Sequence, residues 1–251
     1  MSGLPPDVPP PPPPPPPPSG YVPPPPAPGG YAPEPNPLPW EDRPRVGFAD
    51  ALVDTIRLFA TKPSEAWSRT REKGDIAQPL LFAICVGWIG AAFNAVYGLM
   101  FGQAWLRWVP AEVRHQMAGF LVGSAGKTAL QICLAPIGVV IGLFIGAAIL
   151  HVCFLIVGAL SNSTAGFEGT VRIVGYSWVA QLAQIIPVFG GLVAGVWSLV
   201  LAVMGAQALH KSSQGKAVFG VLLPVLLCCG CVLVGLIVGG AALMSAFGRM
   251  R

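Results

Sequence analysis

Charged residues are scarce in this chain. Only 10% of its 251 residues are Asp, Glu, Lys or Arg, whereas 53% are hydrophobic and the mean hydropathy is +0.64. A water-soluble domain usually carries about 25% charged residues, so this composition excludes an ordinary soluble fold. The net charge of +4 comes without any run of Lys or Arg interleaved with aromatic residues, which excludes a nucleic-acid-binding protein.

Proline is rare in most of the chain and concentrated at its start. Residues 1–44 hold 22 of the 28 prolines, including the unbroken run from Pro9 to Pro18, and residues 45–251 hold six. Proline fixes φ and cannot donate a backbone hydrogen bond, so we predict a disordered proline-rich tail over 1–44. This tail serves either as a solvated spacer or as a docking segment for aromatic-lined grooves.

Two further absences concern targeting and redox chemistry. Residues 1–18 contain no basic segment followed by an apolar stretch, so we expect no cleavable signal peptide and a cytoplasmic amino terminus. None of the cysteines lies in a polar loop. All six lie within apolar runs, at Cys85, Cys133, Cys153, Cys228, Cys229 and Cys231. This placement argues against a disulfide framework, and we expect buried free thiols.

Residues 45–78 predict membrane-proximal helices. Apolar residues of the first helix recur at helical spacing, at Phe48, Leu52, Ile56 and Phe59. This pattern is typical of an amphipathic helix, whose apolar face rests at the lipid interface or against the bundle. A second short helix is predicted from Pro63, with Thr61 as its candidate cap.

Five apolar runs are long enough to cross the roughly 30 Å of a bilayer's hydrocarbon. They cover residues 79–101, 130–160, 171–189, 191–209 and 217–247. We therefore predict an all-α fold, a polytopic membrane helical bundle with five transmembrane helices over residues 79–251. Pro136 and Pro224 lie near the starts of the two longest runs, where they mark candidate kinks or helix boundaries.

Basic residues beside the spans favour a cytoplasmic amino terminus. In that orientation seven lie on the cytoplasmic side, at Lys62, Arg69, Arg71, Lys73, Arg172, Lys211 and Lys216. Five lie on the other side, at Arg107, Arg114, Lys127, Arg249 and Arg251. Trp105 and Trp108 then follow the first span, as residues of an aromatic belt do.

Small residues repeat every four positions along the second span, at Gly138, Gly142 and Gly146. This spacing leaves a groove along one helix face, which lets another backbone approach closely. The face serves either packing within one bundle or contact between copies in a homo-oligomer.

The chain contains no recognisable catalytic or metal-binding set. It has no HExxH, no pair of intramembrane aspartates and no serine, histidine and carboxylate set, so we predict no enzyme, no cofactor and no metal. His151 is the single ionisable residue expected within the hydrocarbon, which argues against an ion-coupled transporter. It serves as a hydrogen-bonded structural residue, a relay or a ligand. Ser177, Gln181 and Gln184 share one face of the third span, either as interhelical hydrogen-bonding groups or as a polar path.

Short motifs in the body of the chain resemble those of the Yip family of five-span membrane proteins, known as Rab-GTPase interactors. Asp75-Ile76-Ala77-Gln78-Pro79 is similar to the family's Asp-Leu-x-Gly-Pro motif, matching at Asp75 and Pro79 and departing from it at Gln78. Val174-Gly175-Tyr176-Ser177 contains the family's Gly-Tyr-Ser motif intact. The order of the spans, the compact hairpin at Pro187 and a histidine at position 151, where bacterial-type members often have one, also agree.

The resemblance implies a cytoplasmic amino-terminal region, a multi-pass bundle and, in eukaryotic members, binding to prenylated GTPases in vesicle traffic. We expect a bacterial-type member in the cytoplasmic membrane. Our leading hypothesis is a non-enzymatic membrane organiser that recruits protein partners through its amino-terminal region. The alternative is a passive pore or small-molecule carrier with a polar path lined by Asn94, His151, Tyr176, Ser177, Gln181 and Gln184. The expected partners are the lipid bilayer, proteins at the amino-terminal region and a second copy of the chain.

Overall fold

The computed structural model of the protein describes residues 36–106 and 125–249. Within these ranges the chain is helical and forms no β-strand, which confirms the predicted all-α membrane bundle. Four helices are long and apolar enough to cross a membrane, over Ala77–Phe101, Gly126–Ile156, Gly190–Leu209 and Gln214–Gly235. Most of the proline-rich tail, residues 1–35, lies outside the described residues, as does the predicted belt residue Trp108.

The amino-terminal part consists of short helices. A 3₁₀ helix, Pro39–Asp42, is followed by α1 (Arg43–Val46), α2 (Phe48–Thr61) and α3 (Pro63–Arg69). Leu38 and Trp40 are fully buried, so the packed domain begins before the boundary expected at residue 44. Thr61 does not cap α3. Its hydroxyl donates to the carbonyl of Arg57, 2.7 Å away within α2, and Lys62 occupies the cap position.

The membrane part contains three long helices, α4 (Ala77–Leu106), α5 (Ala125–Ile156) and α8 (Gln214–Arg249), and the 20-residue helix α7 (Gly190–Leu209). Pro136 and Pro224 lie inside α5 and α8. The predicted third span, 171–189, corresponds instead to α6 (Gly166–Ser177) and a second 3₁₀ helix, Trp178–Ile185. Its helical pattern changes where the amide of Trp178 is shared among the carbonyls of Val174, Gly175 and Tyr176. Neither piece alone reaches the length of a spanning helix.

Close contacts between the membrane helices occur at glycines. α4 packs against α5 and against the 3₁₀ helix Trp178–Ile185. A Cβ atom added at Gly90 of α4 would lie 2.6 Å from the carbonyl oxygen of Gln181, so a larger residue there would force the two backbones apart. α3 reaches the bundle in the same way, because the indole of Trp67 lies against Gly205 of α7.

Helix α2 packs on the bundle rather than leaving its apolar face for lipid. Its buried stripe is Ala51, Thr55 and Phe59, whereas Phe48, which we expected on that face, is 57% exposed. Thr55 is buried because its hydroxyl accepts a hydrogen bond from the amide of Trp40 at 2.9 Å. Leu52 and Ile56 of the predicted face are partly buried against the same core as Phe59. The prediction therefore holds for three of its four residues, and Thr55 joins the face through a polar contact that an apolar periodicity cannot reveal.

All six cysteines are unpaired, as predicted. The expectation of burial was correct for Cys153 and wrong for four others, because Cys133, Cys228, Cys229 and Cys231 are exposed on the surfaces of α5 and α8. These helix faces are the ones that hydrocarbon would cover in a bilayer, so an apolar run did not distinguish a lipid-facing thiol from a protein-buried one.

Candidate functional site

A buried ion pair joins the amino-terminal helices to the membrane part. Glu41 lies on the first 3₁₀ helix and Arg172 on α6, and each side chain is 1% exposed. Oε1 of Glu41 accepts hydrogen bonds from Nη1 of Arg172 at 2.8 Å and from the hydroxyl of Tyr176 at 2.9 Å. The pair therefore connects segments that lie 131 residues apart in the sequence.

The other two nitrogens of the Arg172 guanidinium are also bonded. Nε and Nη2 donate to Oε1 of Glu168 at 3.2 and 3.1 Å, one helical turn earlier on α6. Nη2 also donates to the carbonyl of Asp75 at 3.3 Å, and Glu168 accepts the backbone N–H of Gly74 as well. A buried guanidinium is tolerated only when its donors are satisfied in this way, so the segment before α4 is held by the same arginine.

Glu41 is ionisable in an environment that disfavours charge. Burial raises the pKa of its carboxyl above the usual value, while Arg172 is the largest of the influences that oppose this rise. The hydroxyl of Tyr176 and the backbone N–H of Arg71, which donates to Oε2 at 3.3 Å, act in the same direction as Arg172. Loss of Arg172 would thus leave a buried carboxyl with its main counter-charge removed.

Aromatic rings pack around Tyr176, which bonds to the ion pair. Tyr176 stacks on Phe59 of α2, with ring centroids 5.7 Å apart and an interplanar angle of 18°. Trp67 of α3 meets Phe59 edge-on at 5.0 Å, and Phe82 of α4 lies 5.4 Å from Tyr176. Trp40 donates its indole N–H to the carbonyl of Gln78 at 2.7 Å. We call residues 38–73, fastened by these contacts, the amino-terminal cap.

Two histidines form a second polar cluster nearby. Nδ1 of His151 on α5 and Nε2 of His210, just after α7, lie 2.8 and 3.0 Å from the hydroxyl oxygen of Thr170. Nδ1 of His210 lies 2.7 Å from the hydroxyl oxygen of Ser163. His151 thus has a second histidine near it in space, although none lies near it in sequence. Across residues 36–106 and 125–249, no group of three His, Cys, Asp or Glu side chains could hold a metal ion.

Burial keeps His210 neutral. Its side chain is fully buried, and burial, with a smaller contribution from His151, lowers its pKa to about 4. At neutral pH the imidazole therefore serves as a hydrogen-bonding group between Thr170 and Ser163 rather than as a cation.

The two motifs that carried the family resemblance contact each other. A Cβ atom at Gly175 would lie 2.8 Å from the Cβ of Pro79, so the absence of a side chain at Gly175 lets α6 approach the first turn of α4. Asp75 precedes that turn and accepts the backbone N–H of Ala77 at 2.9 Å. Tyr176, the next motif residue, contacts Glu41, which places the motif at the junction with the amino-terminal cap.

Ser177 and Gln181 lie deeper in the bundle, beside two cavities separated by the indole of Trp178. The first, about 580 Å³, is lined by the carboxamides Asn94, Gln131, Gln181 and Gln184, and we call it the amide cavity. The second, about 380 Å³, is lined by Ser177, Gln181 and apolar side chains of α5, α7 and α8, and we call it the serine cavity. Trp178 and Gln181 line both.

The repeated glycines of α5 face these cavities. Gly138 borders the amide cavity, and a Cβ atom there would meet nothing within 4 Å. Gly142 and Gly146 border the serine cavity, where a Cβ atom would have ordinary contacts at 3.8 Å. Within one chain this glycine face therefore leaves open space, and the close backbone approach occurs at Gly90.

Sequence reasoning did not identify Glu41, Arg172 or His210 as site residues. Glu168, Arg172 and Tyr176 recur at four-residue intervals, which puts them on one helix face, and this spacing was the available signal. Glu41 offered none, because its partner is 131 residues away. His210 directly follows the predicted span 191–209, and no motif or spacing set it apart.

Comparison with known proteins gives one match. The family model of the Yip1 domain matches residues 56–236, a range that contains Arg172, Tyr176, both histidines and both cavities but not Glu41. No curated protein matches the chain, and no solved structure does.

The buried pair predicts a strong energetic coupling between Glu41 and Arg172. Glu41→Gln and Arg172→Met should each destabilise the purified full-length protein by about 3–5 kcal/mol, because each leaves a buried polar partner uncompensated. The double variant should lose less stability than the sum of the two single-variant losses. Thermal and denaturant unfolding in detergent micelles measures all three.

The neighbouring carboxylate supplies a matched control for this cycle. Asp42 pairs with Arg45, whose side chain is 78% exposed, so Asp42→Asn should leave the unfolding midpoint unchanged. The assignment of Glu41 and Arg172 as a coupled pair would be contradicted if their stability losses were additive in the double variant. It would also be contradicted if Asp42→Asn destabilised the protein as much as either of them.

The lowered pKa of His210 predicts acid sensitivity. The pKa of His210 is near 6.5 in the unfolded chain and about 4 in the folded protein. The contribution of neutral His210 to the free energy of unfolding is therefore fully present above pH 6.5 and is lost as the pH drops toward 4. The loss should approach about 3 kcal/mol, at 1.4 kcal/mol per pKa unit. Unfolding midpoints between pH 7.5 and about 4.5 should fall less steeply for His210→Gln than for the unmodified protein. Identical slopes would refute the prediction.

Proposed function

The chain belongs to the Yip family of integral membrane proteins, and we propose that it acts without catalysis, by presenting its amino-terminal cap to protein partners at the membrane surface. It is a multi-pass protein, and its long apolar helices require a lipid bilayer around them. The proposal has three parts: the chain recruits protein partners, it has no enzymatic activity, and it lies in a bacterial cytoplasmic membrane.

The observation that carries the proposal is the fixed position of the cap. A flexible tether needs no buried ion pair, whereas this cap is held by Glu41 and Arg172 and by the rings packed on Tyr176. Fastening fixes the orientation of α2, which exposes Val53 at 60% on its outward side and Phe48 at 57% at its first position. A preorganised surface binds a partner with less loss of conformational entropy than a free segment does.

The chemistry of that outward side suits a protein partner. Asp50, Asp54 and Arg57 are exposed on the same side of α2 as Val53, so apolar contact area is combined with charges of both signs, as in the rim and core of a protein interface. A helix lying on anionic lipid is instead rich in Lys and Arg on its polar face, and here carboxylates outnumber the arginine.

Charge around the cap supports a cytoplasmic position. Lys211 forms an ion pair with Glu72, with 2.5 Å between Nζ and Oε1, and its hydrogen bond is the main reason that the pKa of Glu72 is lowered. Arg71 lies beside Glu41, and Lys216 donates to the carbonyl of Gly158 at 3.1 Å. Lys211 and Arg71, two of the basic residues assigned to the inner side, thus pair with carboxylates of the cap, in keeping with the positive-inside rule for a cytoplasmic face.

Site-specific photocrosslinking tests the proposal. A photoreactive amino acid at Val53, in the full chain and its native membrane, should yield discrete adducts with another protein. The same residue at Phe219, which is 68% exposed on α8, should crosslink to lipid and serves as the control. Arg172→Met should weaken the Val53 adducts, because the cap loses its attachment. If Val53 gives lipid adducts alone, the surface faces the bilayer and the proposal fails.

A passive carrier is the second candidate, favoured by the amide cavity. Carboxamides within membrane spans are costly unless they are hydrogen-bonded or solvated. Nδ2 of Asn94 donates to Oε1 of Gln184 at 2.8 Å, and Gln184 donates in turn to Gln181. The predicted polar path also included His151 and Tyr176, which line neither cavity. Support for the path is therefore restricted to its other four residues, Asn94, Ser177, Gln181 and Gln184.

Solute flux distinguishes the two candidates. Stopped-flow light scattering of proteoliposomes with urea and glycerol should show no protein-dependent permeation if the chain is an organiser. A carrier would give permeation that Gln181→Leu abolishes and Gln214→Leu preserves, because Gln214 is exposed at the start of α8 and lines neither cavity.

A further inference from the structure

The serine cavity has the size and lining of a site for an apolar molecule. Its volume of about 380 Å³ falls within the roughly 300–1,000 Å³ typical of small-molecule sites. Helices α5, α6, α7 and α8 and the 3₁₀ helix Trp178–Ile185 surround it. Its walls are mainly apolar, for example Leu150, Leu199 and Val221, and no charged side chain lines it.

One polar group in this wall has no partner. Ser177 is 5% exposed, and its hydroxyl oxygen makes no hydrogen bond among the described residues. Helical serines usually satisfy their hydroxyl by donating to a carbonyl on the preceding turn. Ser198, which lines another wall of the cavity, does so with the carbonyl of Gly195 at 2.8 Å. A buried orphan hydroxyl is unfavourable, so the one at Ser177 points to an occupant that supplies a hydrogen-bonding oxygen.

The position of the cavity indicates that the occupant comes from the bilayer. Val221 follows Lys216 by five residues, about 7.5 Å along α8, and Ala202 precedes His210 by eight residues, about 12 Å along α7. The cavity therefore lies within hydrocarbon depth, below the basic residues at the cap. Ile149 and Val225 at its edge are 50% and 39% exposed, which leaves access from the lipid phase.

Charged lipid headgroups fit this site poorly, and water alone would leave most of its wall without polar contacts. A buried water needs two to four polar partners, and the polar side chains of the lining are limited to Ser177, Gln181 and Ser198, whereas the rest of the wall is mainly apolar. A phosphate or carboxylate would have no counter-charge in the lining and would be strongly disfavoured at this depth.

We propose that the serine cavity binds a neutral lipid with an aliphatic body and one hydroxyl group. The aliphatic body fills the space left by Gly142 and Gly146, and the hydroxyl bonds to the hydroxyl of Ser177. This role goes beyond the recruitment proposed above and is independent of it, because none of the lining residues belongs to the amino-terminal cap.

Photolabelling with a diazirine-bearing long-chain alcohol tests the site. The full-length protein in liposomes should be labelled on peptides that line the serine cavity, as located by mass spectrometry. Unlabelled hexadecanol should compete, and hexadecane, which has the same chain without the hydroxyl, should compete more weakly. Ser177→Ala should reduce cavity labelling roughly fivefold to tenfold, the loss expected for one hydrogen bond.

Two glycine variants provide the steric test and its control. Gly146→Leu should fill the cavity and abolish labelling. Gly191→Leu, on an exposed glycine of α7 with no atom within 4 Å of an added Cβ, should leave it unchanged. Ser177→Ala keeps the backbone and packing, so it remains informative if Gly146→Leu fails to fold. Equal competition by hexadecane and hexadecanol, or labelling that survives both cavity variants, would overturn the proposal.

Discussion

The ion pair between Glu41 and Arg172 is the constraint on which the arrangement of the cap depends. Both charges are buried, and neither would be tolerated there without the other. One guanidinium holds the first 3₁₀ helix through Glu41, the segment before α4 through the carbonyl of Asp75, and its own helix through Glu168. Three parts of the chain, distant in sequence, therefore share one fixed point, and the rings of Phe59, Trp67 and Phe82 pack on Tyr176 beside it.

The Gly-Tyr-Ser motif connects this fixed point to the interior of the bundle. Gly175 permits close approach to Pro79, and Tyr176 donates to Glu41. Ser177, whose hydroxyl has no partner among the described residues, lines the serine cavity. Three successive residues thus contact the first spanning helix, the amino-terminal cap and a membrane-depth cavity.

Sequence alone predicted the long helices well, because an apolar run of spanning length has few other solutions. It placed α4, α5, α7 and α8 within a few residues of their observed bounds. It did not predict that the third run is divided at Trp178, since hydrophobicity does not separate an α-helix from a 3₁₀ helix. Nor could it find Glu41, whose partner is fixed only when the helices pack, or foresee that Gly138, Gly142 and Gly146 border open space.

The central claim is that the amino-terminal cap is a fixed part of the membrane domain, held by one buried ion pair. Amide hydrogen exchange of the full-length protein in lipid nanodiscs tests it most directly, by comparing the unmodified protein with Arg172→Met. The account predicts strong protection of Phe48–Thr61 in the unmodified protein, selective loss of that protection in the variant, and unchanged exchange in α5. Equal protection of Phe48–Thr61 in both proteins would contradict it.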